Sequence, residues 1–597
     1  MTLLLVVGLF LMLFAPYRTE NADIALFFRI CHWVATVQVL MTIILLLGIY
    51  TPIVQQIICI TPLVMAGYAW FSSEHIHYIT PTRYHIPMLL LGLGYLLYAS
   101  PSPWMRDELT YHLALAKQYA QQGSFVETDF VVFSYFPQGW QSFLTLLHDT
   151  HTGTFLFNPR YFSVLIVMVT ACGLFGWLKD KTSLLWAMTG SILYLCTPSI
   201  FEFGTSCYVQ PWLTAVFLWL LLEFESDTHP FRIGLIVGIA CSLKYSALIV
   251  PLFLLLMIYY QDRRLHSVST FLGGTLLTGS VFYIRNIIDT GNPLFPMMYS
   301  IFAGEGWDEW QAIAYEQTLD NYGMGRTLLD YLLLPFRLFT TQDMTGYFQG
   351  SLGFGWLLML IIGIWQRKPS KDTHWMWFLL GGWFLFWAFQ VQQVRFFLPI
   401  LPLMTMLLIP ILYRWRPKSW LIWVMASMVW TILPLQDRLY NQQGQVFWKT
   451  FAQTQNYEVA QNAFLAHRLP ESIPPYKFLN DIETKKIWLV WMRGYHYYID
   501  KEVRIDNVFG AYRFEKLLLE HSLDSIHSQL QQDDISHVVI NRRFFLINDN
   551  ADYLGKNATK AIQKQFNHMI QKGILHPVQR WGSVELYEVD TSSESAE

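Results

Sequence analysis

The chain has 597 residues, of which 53% are hydrophobic and 14% charged, whereas an ordinary soluble domain carries roughly 25% charged residues. The net charge of −3 gives no reason to expect nucleic acid as a partner. The 17% aromatic content, with 24 Trp, suits rings placed at a membrane–water interface.

The charge deficit falls on residues 1–434, while 435–597 read as ordinary soluble protein. In chain order, apolar runs lie at 2–15, 30–50, 52–71, 86–100, 162–178, 184–200, 210–224, 231–243, 245–260, 268–284, 352–365, 375–389, 396–413 and 420–433. A span needs about 20 residues, so these runs predict a polytopic α-helical membrane protein of about fourteen transmembrane helices. The first run lacks a basic leader and a small-residue cleavage site, which argues against a signal peptide. All six cysteines (Cys31, Cys59, Cys172, Cys196, Cys207 and Cys241) fall in or beside apolar runs and read as small buried side chains.

Lys and Arg of the short loops fall on alternate sides: Arg18, Arg29, Arg83, Lys179, Lys181, Arg232, Arg263, Arg264, Arg367, Lys368, Lys371, Arg414, Arg416 and Lys418 share one face, which is expected to be cytoplasmic. The N-terminus and three longer segments, 101–161, 285–351 and 434–597, then lie on the other face. The expected organisation is N-terminal helices over 1–100 and a first external loop over 101–161. A helical core follows over 162–434, with its own external loop 285–351, and a soluble α/β domain over 435–597.

The first external loop opens Arg106-Asp107-Glu108-Leu109-Thr110-Tyr111-His112 and continues through Lys117. Adjacent carboxylates beside a membrane are costly unless solvated or used. Helical spacing would put Asp107 with Tyr111, and Glu108 with His112. A carboxylate beside an Arg and a His can take a proton from a hydroxyl. The competing reading is a helix N-cap with a solvated charged turn.

Farther along stand Lys244-Tyr245, Arg285-Asn286 with the turn Thr290-Gly291-Asn292-Pro293, and Gln393-Val394-Arg395. Arg106, Lys244, Arg285 and Arg395 break the positive-inside trend. They are therefore candidates for an anionic ligand, with snorkelling to headgroups as the alternative for Arg285. His148 and His151 flank Asp149 but read as surface polar groups more readily than as metal ligands. Asn557-Ala558-Thr559 fits a glycosylation sequon.

These patches resemble one known group. Asp107-Glu108-x-x-Tyr111-His112-Leu113-x-x-Ala116-Lys117 is similar to the first-loop motif of bacterial GT-C glycosyltransferases, the superfamily of protein mannosyltransferases and lipid A aminoarabinose transferases. Gly238-x-x-x-x-Leu243-Lys244-Tyr245 follows in the same order, then Arg285-Asn286-x-x-x-Thr290-Gly291-Asn292-Pro293-x-x-Pro296, then Gln393-x-Arg395-Phe396-x-Leu398-Pro399. The resemblance covers roughly residues 100–410. Two departures stand out: several apolar runs precede the loop, and Gln210 follows Tyr208-Val209 where relatives often carry Asp.

The resemblance implies transfer of a sugar from a polyprenyl-phosphate donor to a hydroxyl of a lipid, glycan or protein acceptor. It implies a multi-pass protein of a bacterial inner membrane, held among membrane lipids, with its C-terminal domain periplasmic or extracellular. Asp107 would be the general base, with Glu108 its partner or a ligand to a divalent cation. Some members use Mg or Mn at Asp107 or Glu108 and others need none, so no cofactor is assigned. Arg285, Arg395, Lys244 and Arg106 would hold the donor phosphate. Tyr111, His112, Lys117, Tyr245 and Asn286 would contact substrate. One base, with no carboxylate nucleophile opposite it, implies inversion. Two alternatives are an O-antigen ligase or polymerase, and a transporter or flippase of lipid-linked sugars.

In the C-terminal portion, 486–491 and 537–541 read as short buried strands and 584–589 as an alternating one. Residues 513–531 between them read as helix split at Ser522. Arg493 to Tyr498 form an aromatic-rich segment after the first strand.

Overall fold

The computed structural model describes residues 2–15, 21–72, 82–126, 132–150, 153–226, 228–262, 265–341, 347–365, 371–415, 445–492, 496–506, 513–545 and 556–590. Most apolar runs are helices. Among the described residues, four (Ala22–Leu46, Pro52–Phe71, Arg160–Lys181 and Val394–Trp415) are long and apolar enough to cross a membrane. Many shorter helices turn large apolar side chains outward, as Leu89, Leu93, Leu276 and Leu277 do. A polytopic helical membrane protein follows from these surfaces, since water would not support them.

Two expected spans are broken. Leu184–Cys196 and Pro198–Gly204 meet at 67°, and Leu265–Gly279 and Val281–Thr290 at 63°; counting each pair as one span brings the total to six. Pro198 causes the first break, because it lacks the N–H that would continue the ladder. The run 420–433, the cations Arg18, Arg263, Arg264, Arg367, Lys368, Arg416 and Lys418, and His151 lie outside the described residues.

Pro230–Cys241 and Leu265–Gly279 pack backbone to backbone. A Cβ on Gly234 would stand 2.1 Å from the Phe271 carbonyl oxygen, and one on Gly238 2.4 Å from that of Thr275. Small residues allow this approach, which is how apolar helices associate where no hydrophobic drive exists. The pair fixes the exits that carry Lys244 and Arg285.

After residue 445 the chain forms helices and one mixed sheet. Strands β1 (Lys486–Val490), β2 (Val503–Asp506), β3 (Ile535–Asn541), β4 (Leu575–Trp581) and β5 (Val584–Val589) stand in the order β2-β1-β3-β5-β4. The first three are parallel, and β5 runs antiparallel to β3 and β4. Helices Arg513–Glu520 and Leu523–Gln532 make the crossover, split at Ser522, whose hydroxyl caps the second. β2 and β4 were not expected. β2 is short, and β4 exposes most of its residues, so neither carries a clear apolar signal.

The start of the first loop is clamped by this later chain. Tyr457 donates to the Ser100 carbonyl (2.8 Å), Gln461 accepts from the Ser102 N–H (2.6 Å), and Tyr498 donates to the Pro103 carbonyl (2.6 Å).

Candidate active site

Asp107 precedes a π-turn, Glu108–His112, that opens the helix Leu113–Gln122. Such wide turns recur at functional sites. The Asp107 carboxylate caps no backbone N–H of the turn, which disposes of the capping alternative. Its Oδ2 accepts from Arg395 Nη1 and from the Tyr111 hydroxyl (3.1 Å), while its own N–H donates to the Tyr208 hydroxyl (3.2 Å). Burial alone would raise the Asp107 pKa; the charge of Arg395, with help from His112 and Arg106, brings it down to about 2.

Arg395 is held by the Gln393 side chain (3.0 Å), which in turn donates to Gln349 (2.7 Å). Its guanidinium also lies over the rings of Phe396 (5.2 Å) and Tyr208 (5.8 Å). The Lys244 ammonium sits 4.0 Å from the centre of the Phe396 ring. Burial, then the charge of Arg395, pushes the Lys244 pKa well down, and Asp107 opposes this. Lys244, Arg395 and Asp107 thus form one electrostatic cluster around Phe396. Arg106 is exposed and acts on Asp107 through its charge.

His112 is buried, its Nδ1 3.4 Å from the Gln141 amide, and its Nε2 has no hydrogen-bond partner. Burial lowers its pKa to about 3, so the imidazole is neutral at ordinary pH. Tyr111 stacks on Phe133, with ring centres 4.4 Å apart.

The other expected site residues lie elsewhere. Glu108 turns away from Asp107 and is fully buried against Arg160. It accepts from Arg160 Nε (2.9 Å) and Nη2 (2.5 Å), and from the N–H groups of Cys207 (2.7 Å), Met105 (3.0 Å) and Trp104 (3.2 Å). A carboxylate offers about four lone-pair sites, so these bonds leave none for a cation. Among the described residues no three His, Cys, Asp or Glu side chains gather.

Lys117 does not face the cluster. It donates to the Tyr497 carbonyl (3.1 Å) and pairs with Asp500, tying the first-loop helix to the sheet-bearing part of the chain. Arg285 donates to Asp289 (3.1 Å) and the Ser134 carbonyl (3.2 Å) and lies near the rings of Phe125 and Tyr135. Asn286 and Tyr245 bond each other (2.8 Å). Asn286 also donates to the Tyr135 carbonyl (2.8 Å), and Tyr245 to those of Phe295 (2.9 Å) and Tyr135 (3.1 Å). Together they latch the second loop to the first. His148, read as a surface group, is buried with Nδ1 2.9 Å from the Leu144 carbonyl, and burial lowers its pKa to about 4.

Arg160 and Tyr208 escaped the sequence reading. Arg160 is a further cation of the first external loop, beside Arg106 and Lys117, and that violation of the charge trend was its signal. Tyr208 had only its place beside Gln210, whose side chain is buried.

The fold has counterparts among solved structures. ArnT from Cupriavidus metallidurans bound to undecaprenyl phosphate matches at TM-score 0.55 and 12% identity, over 87% of this chain and 100% of that one. The apo state of the same protein matches at 0.53 and 12%, over 86% and 99%. The arabinofuranosyltransferase AftD from mycobacteria gives 0.43 and 12%, over 85% of this chain and 40% of that one. No curated protein sequence matches. The chain therefore shares the fold of ArnT. A family profile described as a domain of unknown function (DUF8201) matches residues 1–402, and the chain belongs to that family.

Proposed function

We propose that this protein is a glycosyltransferase that moves a sugar from a polyprenyl-phosphate donor to an acceptor hydroxyl, at the membrane face opposite the cytoplasm. The observation that carries the reading is the convergence of one carboxylate, Asp107, with two cations, Arg395 and Lys244, from three distant parts of the chain. The ArnT likeness supports it through the fold, and that protein's undecaprenyl phosphate suggests the class of donor.

Asp107 takes the proton of the acceptor hydroxyl as its oxygen attacks the anomeric carbon. The bond from that carbon to the phosphate oxygen breaks, and its electron pair leaves on the lipid phosphate. Arg395 and Lys244 stabilise that developing charge where water is scarce, so fixed cations act strongly. One base and a direct displacement invert the anomeric centre. The neutral His112, with Nε2 unbonded in its buried site, is suited to a sugar hydroxyl.

Arg395 and Lys244 are preferred to Arg285 for the phosphate, because both cluster with Asp107 whereas Arg285 is engaged away from it by Asp289 and Ser134. Arg106 and Tyr111 support the site from its edge. The testing experiment is transfer from a synthetic polyprenyl-phosphate sugar by the purified protein in lipid nanodiscs. Full turnover by Asp107→Asn would sink the assignment of the base.

A further inference from the structure

A cavity of about 380 Å³ lies between the helix Leu113–Gln122 and the strand β2. Its two walls differ in kind. On the helix, Ala114, Lys117, Gln118, Gln121 and Gln122 line it, at spacings of three and four that make one helix face. On the sheet, Val503 and Ile505 line it, two apart on one strand. The ladder decides what β2 presents there. Among the described residues β2 is an edge of the sheet and pairs with β1 alone. The Ile487 N–H donates to the Glu502 carbonyl (3.0 Å), and the Trp491 N–H to that of Asp506 (2.9 Å). With the parallel register Ile487↔Val503 and Leu489↔Ile505, the residues of β2 that bond β1 are Glu502, Arg504 and Asp506. Val503 and Ile505 turn their N–H and C=O groups the other way, and both line the cavity. Such an edge is a template for another strand.

The helix wall answers in kind. Gln118 Oε1 is buried with no hydrogen-bond partner, and Gln121 and Gln122 add two more amides. A side-chain amide offers donors and an acceptor, as a peptide group does. The charges largely offset one another: Lys117 pairs with Asp500 and Lys486 with Glu502 (3.3 Å), which leaves Lys501. Walls of backbone groups, amides and paired charges complement a neutral chain that donates and accepts at regular intervals, rather than an anion. A helix that only shielded the edge would pack onto it, whereas here a void separates the two.

We infer that this seam is a docking slot for an extended polypeptide, received as a further strand on β2 with its outer edge toward the glutamines. The same helix runs back to the turn that carries Asp107. At about 1.5 Å per residue Gln118 stands roughly 16 Å along it from Asp107. An extended chain covers that distance in about five residues. A serine or threonine that far from the docked segment is within reach of the carboxylate. Calling the polypeptide the acceptor rests on the transferase reading; the slot itself does not.

The test is hydrogen exchange of the full-length protein in nanodiscs, read at single amides, with three probes. They are a pool of end-blocked heptapeptides with threonine at the centre and the other positions randomised, the same pool with every peptide nitrogen methylated, and maltoheptaose. The first pool is expected to slow exchange at the Val503 and Ile505 N–H groups by roughly tenfold or more, and to leave that of Arg504, which faces β1, little changed. The methylated pool and maltoheptaose should protect neither. Val503→Pro removes an outward N–H without touching the β1 ladder, a change that edge strands tolerate. It should lower peptide protection at Ile505 by roughly fivefold or more, the effect of losing one hydrogen bond. Gln118→Leu, on the other wall, leaves the strand untouched and should lower it too. Asp107→Asn should keep the protection while it loses transfer. Protection in a wild-type protein that transfers no sugar would sink the transferase reading and leave the slot standing; transfer without protection would sink the slot. Protection by maltoheptaose, equal protection by the methylated pool, no protection by any probe, or full protection in folded Val503→Pro and Gln118→Leu proteins would each overturn the inference.

Discussion

Arg395 donates through Nη1 to Oδ2 of Asp107, across 288 positions of sequence. The contact joins the mouth of the first loop to the start of the helix Leu401–Trp415, and Arg395 is the main charge that lowers the Asp107 pKa. Under the proposed mechanism, a donor phosphate that draws on Arg395 would free the Asp107 carboxylate for an acceptor proton.

Asp107→Asn is expected to cut transfer by about 10²–10⁴-fold, the range of general base catalysis, with the fold retained. Turnover and the melting temperature, read on the same preparation, check both halves of that expectation.

The pH dependence follows from the same pair. Asp107 has a folded pKa of about 2, below its ordinary 3.8. A depressed carboxylate contributes stability that is fully present above 3.8 and is lost as pH falls through about 2. Arg395→Gln removes the main lowering charge, so the acid limb of residual activity should shift to higher pH. A pH–rate profile with no such shift would mean that Arg395 does not govern the base.

Lys244→Met and Arg285→Ala should separate. Lys244 lies in the Asp107 cluster, whereas Arg285 is engaged by Asp289 and Ser134. Lys244→Met should weaken donor binding more than Arg285→Ala, measured by titration of the lipid-phosphate sugar. The reverse order would return the phosphate to Arg285.

Glu108→Ala should destabilise by about 3–5 kcal/mol, because it leaves Arg160 buried without its partner. The double variant Glu108→Leu/Arg160→Leu should recover part of that loss. Thermal melts in nanodiscs give both values, and a Glu108→Ala protein as stable as wild type would contradict the buried pair.

Lys117→Ala should loosen the join between the helix Leu113–Gln122 and residues 497–500. Hydrogen exchange over those segments should rise, while donor binding is spared. Loss of donor binding with unchanged exchange would restore Lys117 to the substrate site.

The sequence by itself determined the helical membrane character, the helix pair split at Ser522, and the residues that would bear chemistry. These are written in local composition: apolar runs reflect transfer into lipid, alternation reflects one buried strand face, and misplaced cations reflect a cost that something must offset. It also singled out Asp107 and Arg395 one by one. Only the tertiary structure decided which charges pair. Asp107 and Glu108 are adjacent in sequence, yet the π-turn sends one to Arg395 and the other to Arg160. A charge shows its sign in sequence but not its partner, because partners are chosen by how helices cross and where loops close. For the same reason Arg285, a candidate for the phosphate, and Lys117, a candidate for the substrate, found carboxylates of their own, and Lys244 was left beside Phe396 within the reach of Asp107.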